Sequence, residues 1–317
     1  MENFIFALNA TIPVFIVIIA GKLFIKLGII DEKWTSVSNR LAFYVCMPLV
    51  LMVDIATIKV KFADNVKFIV FCFLVTLAMF FIVWILSIVF VKEKTMVGAF
   101  AQGSVRGSAT NLGIPFVLNI YGNSGMVPMM ILASVPIFNA FSVVILTVSA
   151  NKYNGGQKKA LNLKTVLKSI IKNPLIIGIM VGFLVCLLNI DLPPIVLKPV
   201  KTIGAAGVPL MLISLGANFK MTDIKSRLIP AAMASLIKLV LLPLAFIPLA
   251  VYLGFRGHSL IAILIMLGAP SAIPGYVMAK EMGNDHILMS NIVVLTTLFS
   301  SVTFTLWIFA LKSLNLL

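Results

Sequence analysis

The sequence predicts an all-α integral membrane protein: ten transmembrane helices arranged as two five-helix repeats of opposite orientation. Three observations lead there. Of the 317 residues, 61% are hydrophobic and 11% charged, and the mean hydropathy of +1.13 lies far above that of water-soluble domains. Apolar runs long enough to cross the hydrocarbon core as helices, about 20 residues each, recur ten times. Finally, helix-punctuating residues repeat without gaps at an offset of 161: Pro13 with Pro174, Gly21 with Gly182, Pro48 with Pro209, Gly122 with Gly283 and Asn123 with Asn284. Met47-Pro48-Leu49-Val50-Leu51-Met52 likewise reads again as Val208-Pro209-Leu210-Met211-Leu212-Ile213. Apolar identities are cheap in so greasy a chain, but matched Pro, Gly and Asn are not. Two similar membrane halves point to a transporter, because repeated folds bind at the repeat interface and expose that site to each side in turn.

Taken in order, span 1 covers 4–28; it lacks a basic leader and a small-residue cleavage site and exceeds signal-peptide length, so it is expected to be a retained helix. Span 2, 36–57, is centred on Pro48 and carries Asp54 toward its end. Span 3, 67–91, has no charge within its apolar core, and span 4, 96–120, contains Arg106-Gly107-Ser108-Ala109-Thr110-Asn111-Leu112-Gly113-Ile114-Pro115. Span 5, 125–150, closes the first repeat, 1–150. A linker follows over 151–165, with Asn151-Lys152-Tyr153-Asn154-Gly155-Gly156-Gln157-Lys158-Lys159, too short for a regulatory domain. The second repeat, 166–317, holds span 6 (166–189), span 7 (194–217, with Pro209), span 8 (228–253, with Lys238), span 9 (258–280) and span 10 (286–311). Span 9 contains Gly268-Ala269-Pro270-Ser271-Ala272-Ile273-Pro274-Gly275. Because an odd number of spans precedes the linker, the two repeats sit in the membrane with opposite orientations.

The formal charge of +15 does not mark a nucleic-acid binder, since Lys and Arg are scattered among short loops with no aromatic-basic platform. It reads instead as orientation. With the N-terminus outside, inside loops carry fifteen Lys and Arg, including Lys22, Lys92, Lys158, Lys172 and Arg227, against seven outside, including Lys59, Lys198 and Arg256. Both termini are thus expected outside a plasma (inner) membrane and the linker in the cytoplasm. Cys46, Cys72 and Cys186 fall inside apolar spans and imply neither a disulfide framework nor a metal site. His258 and His286 lie near span ends without ligand spacing. No Ser/His/Asp set, paired carboxylates or phosphate loop is present, so no enzyme activity or cofactor is expected.

Spans 4 and 9 carry the candidate site. Two prolines four residues apart in span 9 each remove a backbone hydrogen bond and clash with the preceding turn, so the segment unwinds locally. Freed backbone groups cannot face lipid and must be buried or line a watery cavity. Half-helix N-termini at such breaks favour an anion. Arg106 offers a fork for a carboxylate, and Ser108, Thr110 and Asn111 add hydrogen bonds. Gly113, Pro115, Pro270 and Pro274 hold the backbone open and, with Ser271, complete the substrate-binding set. Lys238 has no acid within a helical turn: it either holds span 9 through its free carbonyls or attracts substrate. Asp54, the only carboxylate inside any span, is either an ion site or a solvated helix end. Asn39, Asn139 and Asn291 read as polar glue between helices.

At these residues the chain resembles the auxin efflux carrier family, which includes the plant PIN-FORMED proteins and bacterial carriers labelled malate permeases. The resemblance runs nearly end to end, through Arg106 to Pro115, Tyr121-Gly122, the proline-centred spans 2 and 7, and Val277-Met278-Ala279-Lys280-Glu281. It implies a fold like that of bile-acid and sodium/proton carriers, with spans 4 and 9 crossing where they unwind. Spans 1, 2, 6 and 7 then form a scaffold, which is also the expected homodimer face, and spans 3–5 with 8–10 a moving transport domain. An organic-acid anion, auxin-like or malate-like, is the implied substrate. Ser108 stands where the family commonly has Asn, with Asn111 one turn on, and span 3 lacks the Asp and Lys of plant members. The expected function is therefore secondary transport of a small organic-acid anion by alternating access. A sodium- or proton-coupled symporter of the same fold is the alternative, and a channel or non-transporting receptor the rival of another class.

Overall fold

The computed structural model describes residues 2–57, 65–108, 125–154, 168, 171–188, 190–218 and 221–317. Helix α1 runs Glu2–Lys26. Helix α2, Glu32–Leu41, starts where the Asp31 carboxylate accepts the Trp34 N–H at 2.6 Å, satisfying one of the amides left open at a helix start. It passes through a π turn, Ala42–Cys46, into α3, Met47–Ala56. The π turn has a cause: Pro48 lacks an N–H and its ring crowds the carbonyl four residues back, and widening the preceding turn, with Met47 N–H bonded to the Ala42 carbonyl, lets the helix continue. After α4 (Val66–Phe90), α5 (Val97–Val105), α6 (Val127–Ser149) and α7 (Pro174–Leu187), α8 (Pro194–Ala205) and α9 (Gly207–Asn218) form one span bent at Ala206. The same proline device recurs between α10 (Met221–Leu236) and α11 (Leu242–Tyr252), where the π turn Ile237–Leu241 precedes Pro243. The chain ends with α12 (Gly257–Gly268), α13 (Pro274–Glu281) and α14 (His286–Ser313), the last capped by Asp285 accepting the Leu288 N–H at 2.8 Å.

Among the described residues six helices are long and apolar enough to cross a bilayer, and two shorter apolar helices, α7 and α12, accompany them. The protein is all-helical and multi-pass. Its outer surface is apolar, with Phe81, Ile85, Val89 and Phe90 of α4 all exposed, a surface suited to lipid and not to water. The apolar window of α6 is 72% buried against 39% for α4, so α6 runs through the interior while α4 lies at the rim. Within span 6, expected over 166–189, helical residues Lys168 and Ile171 precede a break, and α7 starts at Pro174: Asn173 takes the extended backbone that a following proline imposes (ψ 129°) and caps the helix by accepting the Leu175 N–H. The central linker beyond Asn154 falls outside the described residues.

Two sets of helices pack internally. In the first, α1 lies along α9 and α3 along α7, with α8 beside α3 and α2 beside α9. Glycines set these distances. A Cβ on Gly182 would come within 2.7 Å of the Met52 carbonyl oxygen and one on Gly178 within 2.5 Å of that of Pro48, while on the other pair Gly21 abuts the Ile213 carbonyl and Gly216 that of Ile18. Backbone resting on backbone in this way maximises dispersion where no hydrophobic effect drives helices together. In the second set α4 packs on α5 and α6, α10 and α13 on α14, and α11 on α12. Arg227 of α10 clasps this set at one end, paired with Glu93 through both terminal nitrogens (2.8 and 2.9 Å) and with Asp285 through Nε (3.0 Å).

Gly216→Ala places a methyl group against a main-chain carbonyl that cannot swing away, so it is expected to destabilise the purified protein by about 1–3 kcal/mol. Thermal unfolding in detergent checks this; an unchanged midpoint means that the backbones of α1 and α9 do not touch.

Candidate functional site

The site is built where two helices stop. Helix α5 ends at Val105 because Arg106 is extended (φ −70°, ψ 112°), and α12 ends at Gly268 because Ala269 is extended (φ −60°, ψ 143°) ahead of Pro270. Pro274 restarts the helix at the first turn of α13, where its missing N–H costs nothing. The two extended stretches lie antiparallel, with Gly107 opposite Ser271. The Ser108 N–H donates to the Pro270 carbonyl at 2.8 Å, and the Ala272 N–H to the Arg106 carbonyl at 3.2 Å. Ser271 closes the remaining gaps: its hydroxyl donates to the Gly103 carbonyl and its N–H donates to Thr296 Oγ1 of α14 at 3.0 Å. Each break therefore supplies hydrogen-bond partners that the other lost, deep inside protein, as an unwound segment in a membrane requires.

Beside this crossing Arg106, 5% exposed, sends Nη2 to Asn139 Oδ1 at 2.6 Å and Nη1 to the Met278 sulfur. Asn139 is itself fixed by donating to the Val135 carbonyl one turn back in α6. A guanidinium has five N–H donors, and among the described residues no carboxylate pairs with this one. A buried charge so placed is costly unless an anion meets it. It faces a cavity of about 110 Å³. Arg106, Ser108 and Asn139 are the polar groups on one side, with Ala272 and Pro274 at the α13 N-terminus; Met47, Val50, Phe138 and Met211 are among the apolar walls, and Asp54 of α3 lies at another edge. Lys201 of α8, the cation acting on Asp54, does not line the cavity.

Of the residues singled out from the sequence, the structure brings Arg106, Ser108, Pro274 and Asp54 to this cavity. Pro270 and Ser271 sit in the crossing behind its wall, their polar groups taken up in holding the two breaks together. Asn111, Gly113 and Pro115 lie outside the described residues, as does Thr110. Lys238 is fully buried behind the crossing and donates to the Val105, Met266 and Leu267 carbonyls. Asn139, read from the sequence as polar glue, is the residue that orients the guanidinium. Gly107, one of the two glycines interrupting span 4, leaves room for Lys238: a Cβ there would meet its Nζ at 3.0 Å.

A second polar group lies on the same span as Asp54 but fifteen residues earlier. Asn39 is wholly buried with neither amide atom hydrogen-bonded, and the Tyr276 hydroxyl, also buried, sits among Asn39, Ser214 and Asn218 without a well-formed bond to any of them. These residues close the seam between α2, α9 and α13.

A multi-pass helical protein with a buried arginine facing a cavity beside two interrupted spans has the build of a membrane transporter. Comparison with known proteins makes that specific: residues 6–308 match the family described as membrane transport protein, and the chain belongs to that auxin efflux carrier-like family. Relatives include an uncharacterized transporter of Methanocaldococcus jannaschii, 24% identical over 307 residues, covering 95% of this chain and 97% of the relative. An uncharacterized transporter of Methanothermobacter thermautotrophicus is 22% identical over 310 residues, covering 94% and 96%.

Asn139→Ala leaves the guanidinium with one partner fewer in a buried setting and is expected to destabilise the protein by about 1–3 kcal/mol. A melting curve of the purified variant tests it, and wild-type stability would detach Asn139 from Arg106.

Proposed function

We propose that this chain is a secondary carrier of a small organic-acid anion, working by alternating access about the crossing of the two broken spans. The observation that carries the reading is the Arg106 guanidinium, buried without a carboxylate among the described residues and facing a small cavity beside Ser108 and Asn139. A carboxylate there gains charge-assisted hydrogen bonds in a low-dielectric surrounding, and the α13 N-terminus adds favourable potential.

Cavity chemistry narrows the guest. The walls are mostly apolar and Arg106 is the only cation lining it among the described residues, whereas Asp54 contributes a carboxylate. A second carboxylate on the ligand would therefore meet hydrocarbon or a like charge, so a monocarboxylate with a short apolar body fits better than a malate-like diacid.

Alternating access draws on two inverted five-helix repeats, 1–150 and 166–317, joined by a cytoplasmic linker at 151–165 in a plasma membrane, with both termini outside. Two contacts support the repeat: Gly21 abuts Ile213 and Gly182 abuts Met52, and one contact maps onto the other at the offset of 161, Gly21 onto Gly182 and Met52 onto Ile213. The α1–α9 and α3–α7 layers then serve as scaffold, and the elements around the crossing move.

Arg106→Ala is expected to weaken monocarboxylate binding about 100-fold and to abolish uptake into proteoliposomes at sub-saturating substrate. Retained wild-type affinity and rate would remove Arg106 from the site. Asp54→Asn is expected to raise the affinity for four-carbon diacids about tenfold relative to monoacids, since one like-charge contact disappears. Competition of mono- and diacids in the same uptake assay reads this ratio directly; an unaltered ratio means that Asp54 does not face the ligand.

A further inference from the structure

The crossing has a second face that the anion cavity does not use. Helices α5 and α12 both end there, so carbonyls without helical partners gather at one point, carrying the negative end of two helix dipoles. Lys238 reaches this point from the π turn of span 8. Its ammonium donates to the carbonyls of Val105 at 2.9 Å, Leu267 at 2.8 Å and Met266 at 3.2 Å, which matches three donors with three acceptors. The residue is 0% exposed and forms no ion pair among the described residues. Its charge is thus balanced by carbonyl dipoles from both broken spans, with the Phe138 ring 5.9 Å away on another side. Space for it is kept by Gly107, where a side chain would press on Nζ.

Carbonyls at half-helix C-terminal ends are the groups with which discontinuous-helix carriers hold a coupling cation. We propose that Lys238 is a tethered counter-cation in such a place: the chain supplies through a covalent arm the monovalent positive charge that would otherwise be drawn from solution, and the space left on removing that arm is a binding site for a small monovalent cation. The crossing is then whole without any bound metal ion, whichever anion occupies the cavity on its other face.

The test uses purified full-length protein and no organic acid, so its outcome is separate from that of the carrier assignment. Wild-type thermal midpoints are expected to be equal in sodium, potassium, lithium and choline chlorides at matched ionic strength. Lys238→Ala lacks the atoms of one propylammonium ion; its midpoint is expected to fall and then to climb by about 3 °C or more as propylammonium or sodium is titrated in, while tetramethylammonium, too wide for the space, does nothing. If this variant is recovered as a monodisperse species only when propylammonium is present, that is the same result. Lys238→Gln keeps donors without charge and is expected to melt below wild type. A sodium-specific rise in the wild type, a Lys238→Ala protein that no cation stabilises or recovers, or a Lys238→Gln protein as stable as wild type would each overturn the proposal.

Discussion

Backbone polarity in a hydrocarbon setting is the constraint on which the rest of this molecule depends. Stopping α5 at Val105 and α12 at Gly268 frees amides and carbonyls that lipid cannot satisfy, and each break alone would be prohibitively costly. Brought together they solve the problem jointly. Arg106, Ser108, Pro270 and Ala272 exchange main-chain bonds, Ser271 ties in α5 and α14, and Lys238 gathers the carbonyls that remain. The cavity beside Arg106 is a by-product of this arrangement, since the same extended turn that pairs with Pro270 projects the Arg106 side chain toward Asn139.

Much of this was visible in residue order, for identifiable reasons. The rim helices follow from hydropathy, and the expected 67–91 and 286–311 differ from the observed Val66–Phe90 and His286–Ser313 by only a residue or two. Proline and glycine marked the break in span 9. In span 4 the helix ends at Val105, at the head of the interrupted stretch from Arg106 to Pro115, where Ser108 pairs with Pro270, 162 residues away. Long-range pairing of that kind leaves no local signature. The π turns before Pro48 and Pro243 are likewise legible only as proline positions, not as the widened geometry that keeps those spans continuous. Asn139 looked like any interhelical amide, and only its distance to Arg106 distinguishes it from Asn291.

Glycine at the α1–α9 and α3–α7 interfaces has a mechanical meaning. Where one main chain rests directly on another there is no side-chain layer to deform, so these layers resist shear, whereas the crossing is joined to them through side chains of the cavity wall, through α2, α9 and α13, and through α1 packed on α14. Rigidity on one side and a softer seam on the other is the arrangement in which two bodies move past each other as units.

That seam is where Asn39 and Tyr276 sit, buried and incompletely bonded. Sealing a passage with leucine would give a closure that water reopens only reluctantly. Sealing it with an amide and a phenol that still want partners lowers the barrier to flooding, because every incoming water is welcomed by a group left short of bonds. A seam closed in this way parts at lower cost than one packed with hydrocarbon alone.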